Sequence, residues 1–479
     1  MTAVRIGSLE ARYHLPPSAR GRRQRLDDAL RVMLGGVLGR ELARLGLPDD
    51  GVLCIGLLQV PVRLSLSGPL ASLAEAWAQA FAAAVVEAVR GGRSPNVVWY
   101  PSRRHALLDF AAGVAAGDLT REWAWRRAAG HTGGPLSKPQ AARLWCEAVG
   151  AEPAAVVPVL AALAESPVLE GLLREVPPEA WARLAAAAAG GSTAWPLAAA
   201  GSPPAVTDRP GSPREWSEPR IEELAARVVA RSTLLRAHHR AARSGEREAA
   251  LCVLAVLEVE PALRTAGERL IRRAADAVRL RLSPAAEPHP LPRGEAALPR
   301  KEPAAPEPPA DPRRRARTDF GGLLFLVGLA GDLGIPPRLL DRSRESGRSV
   351  RWLLHPLALR LVPAGSDDPA ALAFAGLRPD AMPPDAETDP PAAAEDGYLR
   401  GLVAELAAAL EVRLGLVPEA GGDPVGFVCR RWAEVVADPG WFEVRLPLAG
   451  VSTDVRRAGL DLDPGYVPWL GVVLKFVYG

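Results

Sequence analysis

The chain has 479 residues, of which 48% are apolar, so it is long enough to form several domains with sizeable cores and is not a fibrous protein. Its 58 Lys and Arg against 55 Asp and Glu give a net charge of +3, which disfavours a dedicated nucleic-acid binder. Cys54, Cys146, Cys252 and Cys429 lie far apart in the sequence. This spacing indicates buried free thiols and neither a disulfide framework nor a metal knuckle.

The N-terminus and the apolar runs predict a cytoplasmic protein without a membrane span. In residues 1–15, charged and polar side chains alternate with apolar ones, whereas a signal peptide needs a continuous apolar core. The best membrane candidate, 323–330, is interrupted by Asp332 and Pro336, far short of the roughly 20 apolar residues that a spanning helix needs.

Residues 1–100 are predicted to form an N-terminal α+β domain of strand, helix, strand and helix. Residues 4–15 alternate between apolar and polar positions, which predicts a strand. Residues 18–45 carry an apolar stripe at helical spacing. The alternation returns at 60–66, where Pro61 favours an edge strand or a bulge, and a second helix is expected at 69–90.

Residues 101–282 are predicted to be a helical region. Short apolar stretches separated by Gly or Pro are typical of packed helices, and no repeat of fixed period is evident. A long helical pair is expected at 220–239 and 246–280. The tryptophans Trp123 and Trp125 could anchor a partner, but half-burial within their own domain is the favoured interpretation.

Residues 283–318 are predicted to be an extended linker, because proline is dense up to Pro312. The arginines at 313–317 follow it. They form too short a cluster, without interleaved aromatic residues, to predict nucleic-acid binding, so a solvated linker end is favoured.

Residues 319–479 are predicted to form a C-terminal α+β domain that ends in antiparallel strands. Its alternation at 441–448 and the branched and aromatic residues at 472–478 indicate strands, with another at 451–455 that completes a hairpin. Helices are expected at 321–334, 349–361, 368–376, 396–414 and 424–437. The predicted fold class is therefore α+β and predominantly α-helical.

The last 25 residues hold the candidate partner-binding site. Interface energies are dominated by aromatic and Arg side chains, and flanking strands would hold this segment rigid. The candidates are Arg456, Arg457, Asp461, Asp463, Tyr466 and Trp469. Two alternatives stay open, namely that the charged residues pair with one another around a turn and that Trp469 belongs to the core.

No catalytic, cofactor-binding or metal-binding residue is predicted. The chain lacks a phosphate-binding loop, a dinucleotide fingerprint, a nucleophile elbow and an HExxH pair. The adjacent His238 and His239 cannot chelate one ion as an i, i+4 pair would. Asp461 and Asp463 are similar to the start of a calcium loop, but Val472 occupies its closing position. A non-enzymatic protein is expected.

Three stretches resemble the contractile injection system tape measure family of phage-tail-like particles. These are the N-terminal unit, the residues RHALLDF at 104–110 with the Gly, Leu and Trp residues at 117–125, and DFGGLLFL at 319–326 with the terminal Pro468-Trp469. The resemblance implies assembly of a contractile tail with inner-tube, baseplate or terminator proteins, with an AAA-type ATPase as a further partner. It also implies a cytoplasmic protein or a component of the extracellular particle.

The composition disfavours a literal ruler, because 47 prolines exclude one continuous helical rod. An assembly factor of the same system fits better. Two other classes remain open: a helical adaptor for an AAA-type ATPase or chaperone, and an enzyme whose site has no recognisable motif.

Overall fold

The computed structural model describes residues 6, 8–45, 51–90, 96–128, 134–190, 216–238, 245–282, 313–384, 390–415 and 423–479. It is mixed α+β, with 64% helix and 10% strand, a helical middle and C-terminal strands. The predicted fold class is confirmed.

Backbone contacts divide the chain into two compact units. The first takes the described residues within 1–106 and 120–135, and the second those within 107–119, 136–302 and 312–479. The division of the chain into four segments stays a prediction, but the structure adds that the helical middle and the C-terminal region pack within one unit. Most of the expected linker, 283–312, lies outside the described residues.

The first unit is built from helices and a short two-stranded sheet. Its elements are α1 (Arg23–Val32), α2 (Leu38–Ala43), β1 (Val52–Ile55), α3 (Leu70–Arg90) and β2 (Val97–Tyr100), followed by α4 (Arg103–Ala116) at its boundary and α5 (Glu122–Ala128). The helical stripe at 18–45 is confirmed, with a π-helical turn at Met33–Val37 where Gly36 has a φ of 142°. Strands β1 and β2 pair antiparallel.

The predicted strands at 4–15 and 60–66 are wrong within the described residues. Both segments are irregular, and the ladder of this unit instead joins β1 to β2. The alternation has a different cause. One side of each segment packs on the helices: Tyr13, Leu15, Leu64 and Leu66 contact a cluster of Leu26, Ala29 and Leu73.

The helical middle consists of nine short helices among the described residues. They are α6 (Lys138–Gly150), α7 (Pro153–Ala164), α8 (Val168–Glu175), α9 (Pro178–Ala189), α10 (Glu218–Arg231), α11 (Thr233–His238), α12 (Gly245–Val259), α13 (Leu263–Ala266) and α14 (Glu268–Leu282). Both helices of the predicted long pair are broken. Ser232 is extended between α10 and α11, and Gly267 has a φ of 94° between α13 and α14.

The C-terminal region combines helices with a five-stranded sheet. The strands are β3 (Arg314–Thr318), β4 (Ala433–Asp438), β5 (Trp441–Leu446), β6 (Gly465–Val467) and β7 (Val472–Tyr478), in the order β3-β4-β5-β7-β6. The helices are α15 (Leu326–Asp332), α16 (Ile335–Ser346), α17 (Val350–Leu361), α18 (Pro369–Phe374), α19 (Ala393–Leu414), α20 (Pro424–Cys429) and α21 (Thr453–Arg457). The last strand pairs parallel to β5 and antiparallel to β6.

Three predictions for this region need correction. The helix expected at 424–437 ends at Cys429, because the residues after it form the inner strand β4, whose Val435 and Val436 are buried. The strand expected at 451–455 is the short helix α21, which Ser452 caps by accepting the Val455 N–H. The arginines at 313–317 do not end a linker, because residues from 314 onward pair with β4, but Arg314, Arg315 and Arg317 are exposed to solvent as expected.

Close backbone packing explains the glycines of the DFGG segment. A Cβ at Gly321 would lie 2.3 Å from the Cβ of Ala433, and one at Gly322 would lie 2.0 Å from the carbonyl oxygen of Val428. Only glycine allows this approach. The 3₁₀ turn Gly321–Phe325 is thereby held against α20 and the start of β4.

Candidate functional site

The C-terminal tail is fixed by a buried carboxylate. The side chain of Asp461 is fully shielded from solvent, and its Oδ2 lies 3.0 Å from Arg456 Nε. The Tyr478 hydroxyl donates to the same oxygen at 2.9 Å. The Arg456 guanidinium also lies 5.4 Å from the centre of the Tyr478 ring. One carboxylate therefore ties α21 to the last strand.

The environment of Tyr478 shifts its ionisation. Burial raises the pKa of Tyr478 to about 12, and the hydrogen bond and the negative charge of Asp461 add to the shift. The phenol therefore stays protonated and able to donate across the physiological range.

The remaining tail candidates divide between structural and exposed positions. Trp469 is only 7% exposed and belongs to the core. Asp463 Oδ1 accepts the Phe476 N–H at 2.7 Å. Tyr466 lies on β6 and is half-buried, and burial raises its pKa. Arg457 is exposed and lies 3.7 Å from Asp454. Partner binding by these residues stays a prediction. Of the charge pairs expected around the turn, the structure shows the one between Arg456 and Asp461, whereas Arg457 faces Asp454 and Asp463 accepts a backbone N–H.

Five large apolar side chains within residues 427–462 are exposed. We define the C-terminal surface as the exposed residues Phe427, Trp432, Leu448, Val451 and Leu462. The guanidinium of Arg431 connects two of its segments, since Nη1 donates to the Gly450 carbonyl at 2.8 Å and Nη2 to the Phe427 carbonyl at 3.3 Å. Arg431 thereby holds α20 against the turn that precedes α21.

The sequence pattern did not indicate this surface, because Phe427 and Trp432 fall within one predicted helix, where their exposure could not be inferred. The available signal was the pair of arginines at 430–431, since basic residues are frequent near the C-terminal end of a helix.

A second candidate site is a partly open cavity of about 600 Å³ in the second unit. Arg227 and Arg231 line it from α10, and Arg342 and Arg348 line it from the end of α16 and the turn that follows. We call the space that these four residues line the arginine cavity. Arg227 and Arg231 are one helical turn apart, so the sequence could have indicated that they share a helix face. Arg342 and Arg348 are more than a hundred residues away, so nothing in the sequence indicated that they join the same cavity.

Two carboxylates of the cavity wall are already paired. The Arg342 Nη1 donates to Glu345 Oε2 at 3.0 Å. The Arg348 Nε lies 3.5 Å from Glu395 Oε1, and its guanidinium lies 3.9 Å from the centre of the Trp352 ring. Stacking on a buried indole fixes the orientation of this guanidinium.

A buried charge network joins the helical middle to the C-terminal region within the second unit. Glu260 is almost fully buried, and its Oε2 accepts the Val350 N–H at 3.1 Å at the start of α17. Burial raises the pKa of Glu260, while Arg227, this hydrogen bond and Arg351 oppose the rise. Burial lowers the pKa of Arg227 and of Arg351, and the nearby Glu260 opposes both shifts. The network ties the residue that follows α12 to α10 and to the start of α17.

The cysteines and tryptophans named from the sequence occupy structural positions. All four cysteines are free and buried, and burial raises the pKa of Cys146 and of Cys252 to about 12. Trp125 is buried, while Trp123 is half-buried beside Gly56. Within the described ranges no group of three or more His, Cys, Asp or Glu residues could hold a metal ion. His239 and the side chain of His238 lie outside the described residues.

Among the described helices, no single one is long and apolar enough to cross a bilayer. Two bent pairs pass by length and composition alone, Pro153–Ala164 with Val168–Glu175 and Gly321–Asp332 with Ile335–Ser346. Comparisons with protein-family models, with curated proteins and with solved structures gave no match.

Proposed function

We propose that this protein is a non-enzymatic structural or assembly component of a bacterial contractile injection system, similar to its tape measure proteins. The resemblance of three stretches, in their order along the chain, supports the system. The C-terminal surface supports the mode of action, because it exposes large apolar side chains on segments that Arg431 connects. Docking to another protein is the role that such a surface serves most often.

The contacts of the C-terminal surface favour a preformed docking site. Trp432 is 48% exposed and Phe427 is 47% exposed. The backbone beneath them is held by Arg431 and by the close packing of Gly321 and Gly322. A rigid surface loses little conformational entropy on binding, so its apolar area can contribute to affinity.

The described helices favour an assembly role over that of a rod-like ruler. The longest of them, α19, has 22 residues, which corresponds to roughly 33 Å at about 1.5 Å per residue. We therefore place the function in the docking of tube, baseplate or terminator proteins during assembly, in the cytoplasm or within the growing particle.

The experiment is co-purification of the tagged full-length chain with the tube, baseplate and terminator proteins of its own system. We expect one of them to bind, and the double variant Phe427→Ala/Trp432→Ala to weaken that binding by about 2 kcal/mol or more, roughly 30-fold in Kd. Because each side chain is about half-exposed, the variant should lose some stability but remain folded, which circular dichroism at the assay temperature checks.

The matched control is Val412→Ala, an apolar residue on α19 that is 82% exposed and lies outside the C-terminal surface. It should bind like the wild type. Capture of none of the tail proteins would contradict the proposal. Nucleotide-dependent capture of an AAA-type ATPase alone would favour the adaptor role instead.

A further inference from the structure

We draw no further inference here: the strongest candidate, the exposed charged patch between Arg317 on β3 and Lys475 on β7 on one face of the five-stranded sheet, carries no proposal, because Arg315 and Arg445 within it lie beside glutamates of the same face and nothing in the structure shows what covers it.

Discussion

Two regions of the chain carry the same alternating pattern and fold differently. Residues 8–15 and 60–66 alternate near the N-terminus, and β5 and β7 alternate near the C-terminus. The C-terminal segments form central strands, with β5 bonded to β4 on one side and to β7 on the other. The N-terminal segments lie on helices without a ladder.

An alternating pattern shows which side of a segment is buried. A period of two places every second side chain on one face, which both regions use to bury apolar groups. A strand also needs a second chain that pairs with its backbone. In the N-terminal segments the intervening residues are exposed, so water can satisfy the backbone groups and no ladder is required. Alternation therefore predicted the buried side, not the hydrogen bonds.

Among the substitutions that test this contrast, Trp469→Ala in the C-terminal region should cause the largest loss of stability. Because Trp469 is buried, we expect a loss of about 3 to 5 kcal/mol in the free energy of unfolding, measured by chemical denaturation. Its N-terminal counterpart, Leu64→Ala, removes a half-buried side chain and should cost about 1 kcal/mol. A loss below about 1 kcal/mol at Trp469 would place this residue outside the core.

The predictable part of the fold follows from local patterns. Helical stripes located α3 and α19 closely, and the branched residues at 472–478 located β7, since these signals depend on the segment alone. The boundary between α20 and β4 could not be read, because tertiary packing decides whether 433–438 is helix or strand. The arginine-rich sequence of 314–318 did not predict a strand, because this strand is stabilised by distant residues. Its backbone pairs with β4, and Arg315 lies close to Glu434 on that strand.

The candidate sites divide along the same line. The ion pair between Arg456 and Asp461 could be predicted from the sequence, since both residues flank one turn. The burial of Trp469 was left open there, because no local pattern fixes the face of a residue in a turn. The arginine cavity joins segments more than a hundred residues apart, and only the packing of α10 beside the end of α16 brings them together.

A proline substitution separates backbone pairing from side-chain burial. Glu443 on β5 lies opposite Val436 and Lys475, so Glu443→Pro removes a donor and strains a central strand. We expect a loss of about 3 kcal/mol. Arg63 is exposed in the unpaired segment 60–66, so Arg63→Pro should cost less than about 1 kcal/mol.

Amide hydrogen exchange measures the same contrast without substitution. The amides of β5 should exchange far more slowly than those of 60–66, because only the strand amides are held in a ladder. Equal protection in the two segments, or equal costs of the two prolines, would show that the N-terminal segment is paired after all.

The smallest expected effect concerns the thiols, which extend the comparison to the interior of the two regions. Burial raises the pKa of Cys252 on α12 to about 12, and it raises the pKa of Cys54 on β1 in the same direction. A thiol with a raised pKa in the folded state contributes stability that is complete below its unfolded pKa of about 9 and is lost as the pH rises toward 12. For Cys252 the free energy of unfolding should therefore fall by up to about 1.4 kcal/mol per pH unit between pH 9 and pH 12.

Cys252→Ala should make this decline shallower, and Cys54→Ala should do so to a smaller extent, because Cys252 is fully buried whereas Cys54 retains some exposure. Denaturation curves at pH 8, 10 and 11 measure the slopes. An unchanged slope in Cys252→Ala would mean that this thiol meets solvent in the folded protein, and the helical middle would then be as open as the N-terminal segments.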